Sequence, residues 1–352
     1  MSPSLDQPFV TGVRQTPAGP VPRVGATLTR TDRWGSIKAR WGVGRMRFTV
    51  DPGLYALGTP DENAPVLVSA NYKMSFDRLR EALPGRNAWI LVLDTDGINV
   101  WCAAGKGTFG TGELIQRIAS SGLSRVVAHR EVLLPQLGAP GISAHEVRKD
   151  SGFKVIYGPI NATDLSAFWD AGFIATPRMR RKTFHLKERI VLVPVELVST
   201  LKWSLLILPL FFVAGGLGGA AGFLNGALTD GVSAVVGLVA AIAAGAVLTP
   251  MLLPWLPGRA FSLKGALMGI ITAAVLGAWW TDGFTKTGNF TETAAWFVLI
   301  PAVSAYLAMN FTGASTYTSL SGVKKEMRWA LPLEVAGAVA GVVLWLYALF
   351  AA

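Results

Sequence analysis

With 352 residues, 51% of them hydrophobic and only 15% charged, the chain exceeds one average domain and is too apolar for an ordinary soluble one, so part of it belongs in lipid. The net charge of +10 raises nucleic acid as a partner, but the basic residues between Arg178 and Lys202 stand directly before the first long apolar run, where the positive flank on the cytoplasmic side of a membrane span belongs, so nucleic acid is the weaker reading. The single cysteine excludes a disulfide framework, and with it any iron-sulfur cluster or structural zinc held by cysteines of this chain alone.

The first thirty residues hold prolines, glycines and polar groups without an apolar core and cleavage site, so the first domain is expected in the cytoplasm. Residues 1–60, with short alternating pieces such as Arg45 to Val50, read as an extended, β-rich arm packed over the domain at 61–180. Within that domain, short apolar runs at 66–70, 88–94, 125–129 and 153–158 alternate with helical patterns at 75–83, from Asn99 onward, and at 143–149 and 165–171. That alternation predicts a parallel α/β sandwich of Rossmann-like type, in which ligands bind beyond the carboxyl ends of the strands. Thr59, Asn71 and Tyr72, near predicted strand ends, are secondary candidates for such a site.

The leading candidate comes after the strand at 88–94. Asn99-Val100-Trp101-Cys102-Ala103-Ala104-Gly105-Lys106 opens with a preferred N-cap, continues through helix-compatible residues and meets glycine. Cys102 then occupies the third helical position, where the positive end of the helix dipole favours thiolate, and Lys106 lies one turn on. A lone cysteine is more often a small buried hydrophobe. Here the short helix leaves a strand end and precedes Gly105-Lys106-Gly107-Thr108-Phe109-Gly110-Thr111-Gly112, whose glycines let backbone approach a bulky ligand.

Gly105, Gly107 and Gly110 also satisfy the dinucleotide spacing, with a helix at 111–119 and Glu131 downstream, but a fingerprint turns directly out of a strand, so nicotinamide binding stays a minor alternative. A phosphate-binding P-loop fails because Lys106 is followed by Gly107. His129, His145 and His185 stand in no D-x-H-x-x-G context and read as surface or structural.

Residues 181–202 form a basic connection in which 184–193 reads as one further strand and Pro194 as the opening of a helix. Five stretches in 203–352 are long and apolar enough to cross a bilayer: 203–223, 232–252, 263–280, 294–311 and 331–350. The loops with Arg259 and Lys264, and with Lys324, Lys325 and Arg328, are the basic ones, which predicts a cytoplasmic first domain and an outside C-terminus in a multi-pass inner-membrane protein. Runs of Gly and Ala, including Gly215, Gly216, Gly218 and Gly219, predict a closely packed helical bundle. Transport is a weaker reading, since Glu334, near a span end, is the nearest approach to a mid-membrane ionisable residue.

The run L-V-L-D-T-D-G-I-N-V-W-C-A-A-G-K-G-T-F-G-T is similar throughout to the cap-helix signature of the mercury-methylating corrinoid protein family, and the likeness extends from about residue 45 through T-G-A-S-T-Y-T-S-L-S-G-V-K-K-E-M at Thr312 to Met327. The soluble part also resembles the corrinoid-binding domain of the corrinoid iron-sulfur protein of the acetyl-CoA pathway. The resemblance implies a cobalamin or related corrinoid bound base-off, with Cys102 as lower axial cobalt ligand. Asn99, Val100, Trp101, Ala103, Ala104, Gly105 and Lys106 of the helix, with Thr108, Thr111 and Gly112 of the loop, are the expected surroundings of the cofactor, although Trp101 serves equally as core packing and Asn99 as a cap alone. It further implies methyl transfer from methylcobalt(III) to Hg(II), a methyltetrahydrofolate-linked methyltransferase as methyl source, and a ferredoxin-like iron-sulfur partner that supplies electrons and hands over Hg(II). A corrinoid methyl carrier of acetyl-CoA-pathway type with a different acceptor is the alternative. A transporter with a nucleotide-binding domain is the third reading.

Overall fold

The computed structural model describes residues 3–218, 222–279, 290–314 and 320–351. Gly219, Trp280, residues 281–289 with Lys286, and 315–319 of the Thr312 to Met327 string lie outside the described residues. Internal contacts divide the chain into two compact units, one of residues up to 39 with 43–183, the other of 40–42 with 184 onward.

The first unit is built on a seven-stranded mixed sheet. β1 (Val10–Thr16) and β2 (Gly19–Val24) form a hairpin, and β3 (Gly53–Leu57), β4 (Val66–Ala70), β5 (Ala88–Leu93), β6 (Glu131–Leu134) and β7 (Lys154–Tyr157) complete the order β1-β2-β3-β5-β4-β6-β7. Strands β5, β4, β6 and β7 are mutually parallel, whereas β3 runs antiparallel to β5. The all-parallel expectation is thus corrected to a mixed α/β sheet, because three strands come from the stretch read as an arm. Every residue of β3, β4 and β5 is buried, as expected for strands covered on both faces, and this explains their unbroken apolar runs.

The helices of this unit are α1 (Arg30–Arg40), α2 (Lys73–Glu81), α3 (Val100–Lys106), α4 (Thr111–Ser120), α5 (Leu123–Val126), α6 (Ala144–Ser151) and α7 (Leu165–Asp170). α1 was not expected. Thr29 and Asp32 bracket its first turn, the Asp32 N–H donating to the Thr29 hydroxyl at 3.1 Å and the Thr29 N–H to the Asp32 carboxylate at 2.9 Å. α1 is tied to α2 by a buried cluster in which Lys73 Nζ lies 2.7 Å from Asp32 and 2.6 Å from Asp77, while Arg80 reaches both carboxylates at 2.8 Å. Two cations and two anions close the charge balance. Burial pushes the Asp32 carboxyl up, but hydrogen bonds from Lys73 and Thr29, with the Lys73 charge, outweigh it and hold the group well below the usual carboxylate range.

Two local expectations are overturned. Residues 125–129 contain the end of α5 and an extended link, and the strand starts at Glu131. Val126 and Val127 are buried, so the apolar signal was sound, but so short a run does not distinguish helix from strand. Residues 184–193 contain α8 (Leu186–Ile190), not a strand. His185 N–H donates to Glu188 across its first turn at 3.1 Å, a local closure that favours helix.

The second unit is helical. α9 (Val193–Gly218) has Pro194 in its first turn, where the missing N–H costs nothing, and Phe223–Leu252, Phe261–Trp279, Phe290–Asn310 and Leu320–Ala351 come after it. These five helices are long and apolar enough to cross a membrane. They start up to about ten residues before the apolar stretches do, because hydropathy marks the lipid-facing part of a helix and not its polar first turns. The small residues mark close approach: a Cβ on Gly245 would meet Ser304, and one on Gly265 would meet Ser304 and Ala308.

Candidate functional site

The winding order of the four parallel strands reverses between β4 and β6. β4 sits between β5 and β6, so the segments leaving β4 and β6 depart to opposite sides and leave room beyond their carboxyl ends. The loop leaving β5 fills part of that room, and Asn71, the first residue after β4, pins it. The Asn71 side-chain oxygen accepts from the N–H groups of Thr95 at 3.1 Å and Gly97 at 3.0 Å, and its amide donates to Asp94 at 3.1 Å. The Thr95 hydroxyl is shared between the Asn71 oxygen at 2.8 Å and the Ile98 carbonyl at 2.7 Å. Asp96 and Gly97 take left-handed conformations, φ 55° and 70°, and a Cβ on Gly97 would strike Thr49 at 2.8 Å.

This fixed loop delivers α3. Asn99 caps it, its side chain accepting from the Cys102 N–H at 3.0 Å, and Gly107 ends it at φ 88°. Ala103 and Ala104 are buried in the core and Val100 packs against it, so this face of α3 anchors the helix. Cys102 and Trp101 are half-buried, and Lys106 is exposed. α3 packs on the 3-10 segment Gln136–Gly141 that leaves β6. The approach is close: a Cβ on Gly141 would collide with the Phe109 carbonyl oxygen and lie 3.1 Å from the Ala104 Cα. Phe109, fully buried, lies against Gly138. Tyr157 at the end of β7 donates to the Ile142 carbonyl at 2.9 Å and steadies the same loop; burial raises its phenol pKa.

The predicted residues separate by role. Asn99, Val100, Ala103 and Ala104 position the helix. Thr111 is committed to the scaffold, its hydroxyl accepting from the Ser143 N–H at 2.8 Å. Gly105, Gly107 and Gly112 have nothing within 4 Å of a built Cβ, so backbone is open to a ligand there. Thr108 has a buried hydroxyl with no hydrogen-bond partner, as has the side-chain oxygen of Gln136. Such orphaned atoms beside an open glycine surface fit a large ligand that carries polar groups.

Thr59 is not brought to this site. Because β3 runs against β5, Leu57 pairs with Ala88, and Thr59 lies at the amino end of β5 with its N–H donating to Asn87 at 2.9 Å. Tyr72 is buried beneath Phe48, bridged to Thr49, and is part of the packing. Glu131 opens β6 and pairs with Lys154 at 3.0 Å, at the strand end opposite the glycine loop, so the dinucleotide reading lacks its acidic partner. His129 accepts from the Glu131 N–H and contacts the Ala64 carbonyl, a structural role. Sequence reasoning missed Gln136. Its signal was the Pro135-to-Gly141 stretch after an apolar run, hidden by the misplaced strand.

Among the described residues no group of three or more His, Cys, Asp or Glu is placed to hold a metal ion. A lone thiol such as Cys102 is suited to serve as one ligand to a metal whose remaining ligands come from a cofactor.

Residues 44–169 match the family described as CO dehydrogenase/acetyl-CoA synthase delta subunit. The chain is 33% identical over 122 residues to the acetyl-CoA decarbonylase/synthase complex subunit gamma of Methanopyrus kandleri, 34% of this chain and 26% of that one. It is 29% identical over 123 residues to the corresponding subunit of Methanothermobacter thermautotrophicus, with the same shares of each chain, and 31% over 130 residues to subunit gamma 2 of Methanosarcina thermophila, 36% and 27%. The chain thus spans about a quarter of the length of the curated relatives it matches. The likeness belongs to the first unit, and the five apolar helices lie outside the family match.

Proposed function

We propose that this chain is a membrane-anchored corrinoid protein that transfers a methyl group to Hg(II), forming methylmercury, with the Cys102 thiolate as lower axial cobalt ligand of a corrinoid bound base-off. The observation that carries the reading is the position of Cys102: third in a capped helix, half-buried, beyond the carboxyl ends of β4 and β6, next to open glycines and two unpartnered polar atoms. The first unit reads as a Rossmann-like corrinoid domain, supported by the order β5-β4-β6-β7 and by the match over 44–169. Mercury as acceptor rests on the likeness of the Cys102 string to the mercury-methylating family and on the five-helix addition.

When bound, the corrinoid supplies a cobalt centre able to accept a methyl group and release it to a soft metal acceptor. The chain's own residues prepare that chemistry. Asn99 holds the Cys102 N–H, and Asn71 fixes the loop before it, so the sulfur meets the ring from a preset position without reorganisation. As a thiolate, Cys102 would be a strong electron donor to the cobalt of a bound corrinoid, a ligand suited to methyl transfer toward a soft metal acceptor. Thr108 and Gln136 would offer hydrogen bonds to polar groups of the cofactor, and Gly105, Gly107 and Gly112 leave backbone open to its close approach. Repeated methyl transfer to Hg(II) would require two electrons per turnover from outside the chain. With one cysteine the chain holds no cluster of its own, so a ferredoxin-like iron-sulfur partner supplies the electrons and hands over Hg(II), and a methyltetrahydrofolate-linked methyltransferase supplies the methyl group.

The second reading, a corrinoid methyl carrier with a different acceptor, is favoured by one observation: the relatives are named as subunits of an acetyl-CoA decarbonylase/synthase complex. The test is ultraviolet-visible and paramagnetic resonance spectra of the full chain purified anaerobically with cobalamin, wild type against Cys102→Ala, with methyl transfer to Hg(II) monitored in parallel. A sulfur-ligated base-off spectrum and methylmercury formation, both lost in the variant, support the proposal. Absence of cobalt from the wild type overturns the corrinoid assignment. A variant with an unchanged spectrum overturns the thiolate ligand, and a wild type with the expected spectrum but no methylmercury shifts the function to the second reading.

A further inference from the structure

We infer that the second unit binds a monovalent organic cation with an apolar body, in a cavity beside Glu334. The cavity, about 490 Å³, lies among α9 and the Phe223–Leu252, Phe290–Asn310 and Leu320–Ala351 helices. Its volume suits a small organic molecule. Glu334 lines it, is 6% exposed, and has both carboxylate oxygens buried without a hydrogen-bond partner. Glu326, eight residues earlier on the same helix, makes the contrast: it accepts from the Ser262 N–H at 2.7 Å, at the positive end of the Phe261–Trp279 helix.

The rest of the lining selects the sign and the size of the ligand. Its other carboxyl side chain is that of Glu196, and it contains no lysine, arginine or histidine. Thr200 and Ser204 donate their hydroxyl protons to carbonyls of their own helix, at 2.9 and 3.0 Å, so their oxygens offer lone pairs only. A lining with two carboxyl side chains and no positive one disfavours anions. Trp203 and Tyr306 add aromatic faces suited to a soft cation, and the remaining lining is mostly aliphatic. A small divalent ion fits poorly: it needs about six or more oxygen ligands, and no cluster of three or more carboxylate, imidazole or thiol groups exists among the described residues. An unpaired carboxylate in apolar surroundings is costly as an anion, and a lipophilic cation answers both the charge and the apolar wall.

The inference is independent of the corrinoid reading, since no lining residue belongs to the first unit. The test uses the full chain in lipid nanodiscs and radiolabelled tetraphenylphosphonium, with empty nanodiscs as background. Saturable binding is expected, weakened at least about tenfold by Glu334→Gln and less by Glu334→Asp. The neutral triphenylphosphine oxide and the anionic tetraphenylborate are expected not to compete. Equal binding by wild type and Glu334→Gln, competition by the neutral or anionic compound as strong as by the cation, or no saturable binding by the wild type each overturns the inference. Should Glu334→Gln fail to fold, the comparison of the three probes on the wild type decides.

Discussion

At the scale of single residues, the cap helix separates groups packed into the core from groups with open space or no hydrogen-bond partner beside them. Gly141, packed on α3, and Gly105, within it, are of opposite kind. A methyl group on Gly141 runs into the Phe109 carbonyl and Ala104, so Gly141→Ala is expected to lower stability by about 1–3 kcal/mol, read as a lower melting temperature of the full chain. Gly105 has open space beside it, so Gly105→Ala is expected to stabilise the cofactor-free protein by about 0.5–1 kcal/mol while weakening corrinoid retention on a desalting column. Thr108→Val removes a buried hydroxyl that has no partner; the cofactor-free protein is expected to melt no lower than wild type, and corrinoid retention to fall. If Thr108→Val destabilises the cofactor-free protein instead, the hydroxyl is structural. Cys102 and its Asn99 cap were legible from spacing alone, because an N-cap and the third helical position are related through local backbone geometry. Gln136 was not, because its approach to α3 depends on two strands lying side by side.

At the scale of elements, the α1–α2 cluster is the feature with the largest energetic stake. Lys73→Met leaves Asp32 and Asp77 with one cation between them in a buried site, and the expected loss is about 3–5 kcal/mol, measured by denaturant unfolding of the full chain. The pH dependence comes from Asp32. Its carboxyl is depressed in the folded state, so its contribution is fully present above the unfolded value near 3.8 and fades as pH falls through and below it. Acid unfolding that shifts to lower pH in Asp32→Asn would contradict this assignment. The hydropathy pattern along 30–40 did not reveal α1, since the helix is held by polar capping and by a charge cluster formed with a segment some forty residues away. Short apolar runs misled in the other direction at 125–129 and 184–193, where local capping and chain context overrode the β-like composition.

At the scale of the whole molecule, a mixed α/β unit is succeeded by five helices long enough to cross a bilayer, and the basic loops predict which side each end occupies. A phosphatase domain fused after the last residue is expected to be active in cells, and a fluorescent protein at the same place dark; the reverse pattern would invert the orientation. The cavity beside Glu334 belongs to the second unit and Cys102 to the first, so the proposed cation binding at the one and the proposed corrinoid binding at the other are expected to be lost separately.

The amino-acid sequence by itself determined the division into an α/β part and an apolar helical part, the short capped helix around Cys102, and the single thiol it carries, because hydropathy, capping and composition act over a few residues. Only the tertiary structure decided that β3 runs against β5, which carries Thr59 away from the site while bringing Thr49 to Gly97. It also decided that Gln136–Gly141 lies under α3 and that Glu334 faces no counter-charge. Strand direction and the pairing of distant groups are properties of the assembled core, where burial and hydrogen bonding are shared by segments far apart in the chain, and no local pattern encodes them.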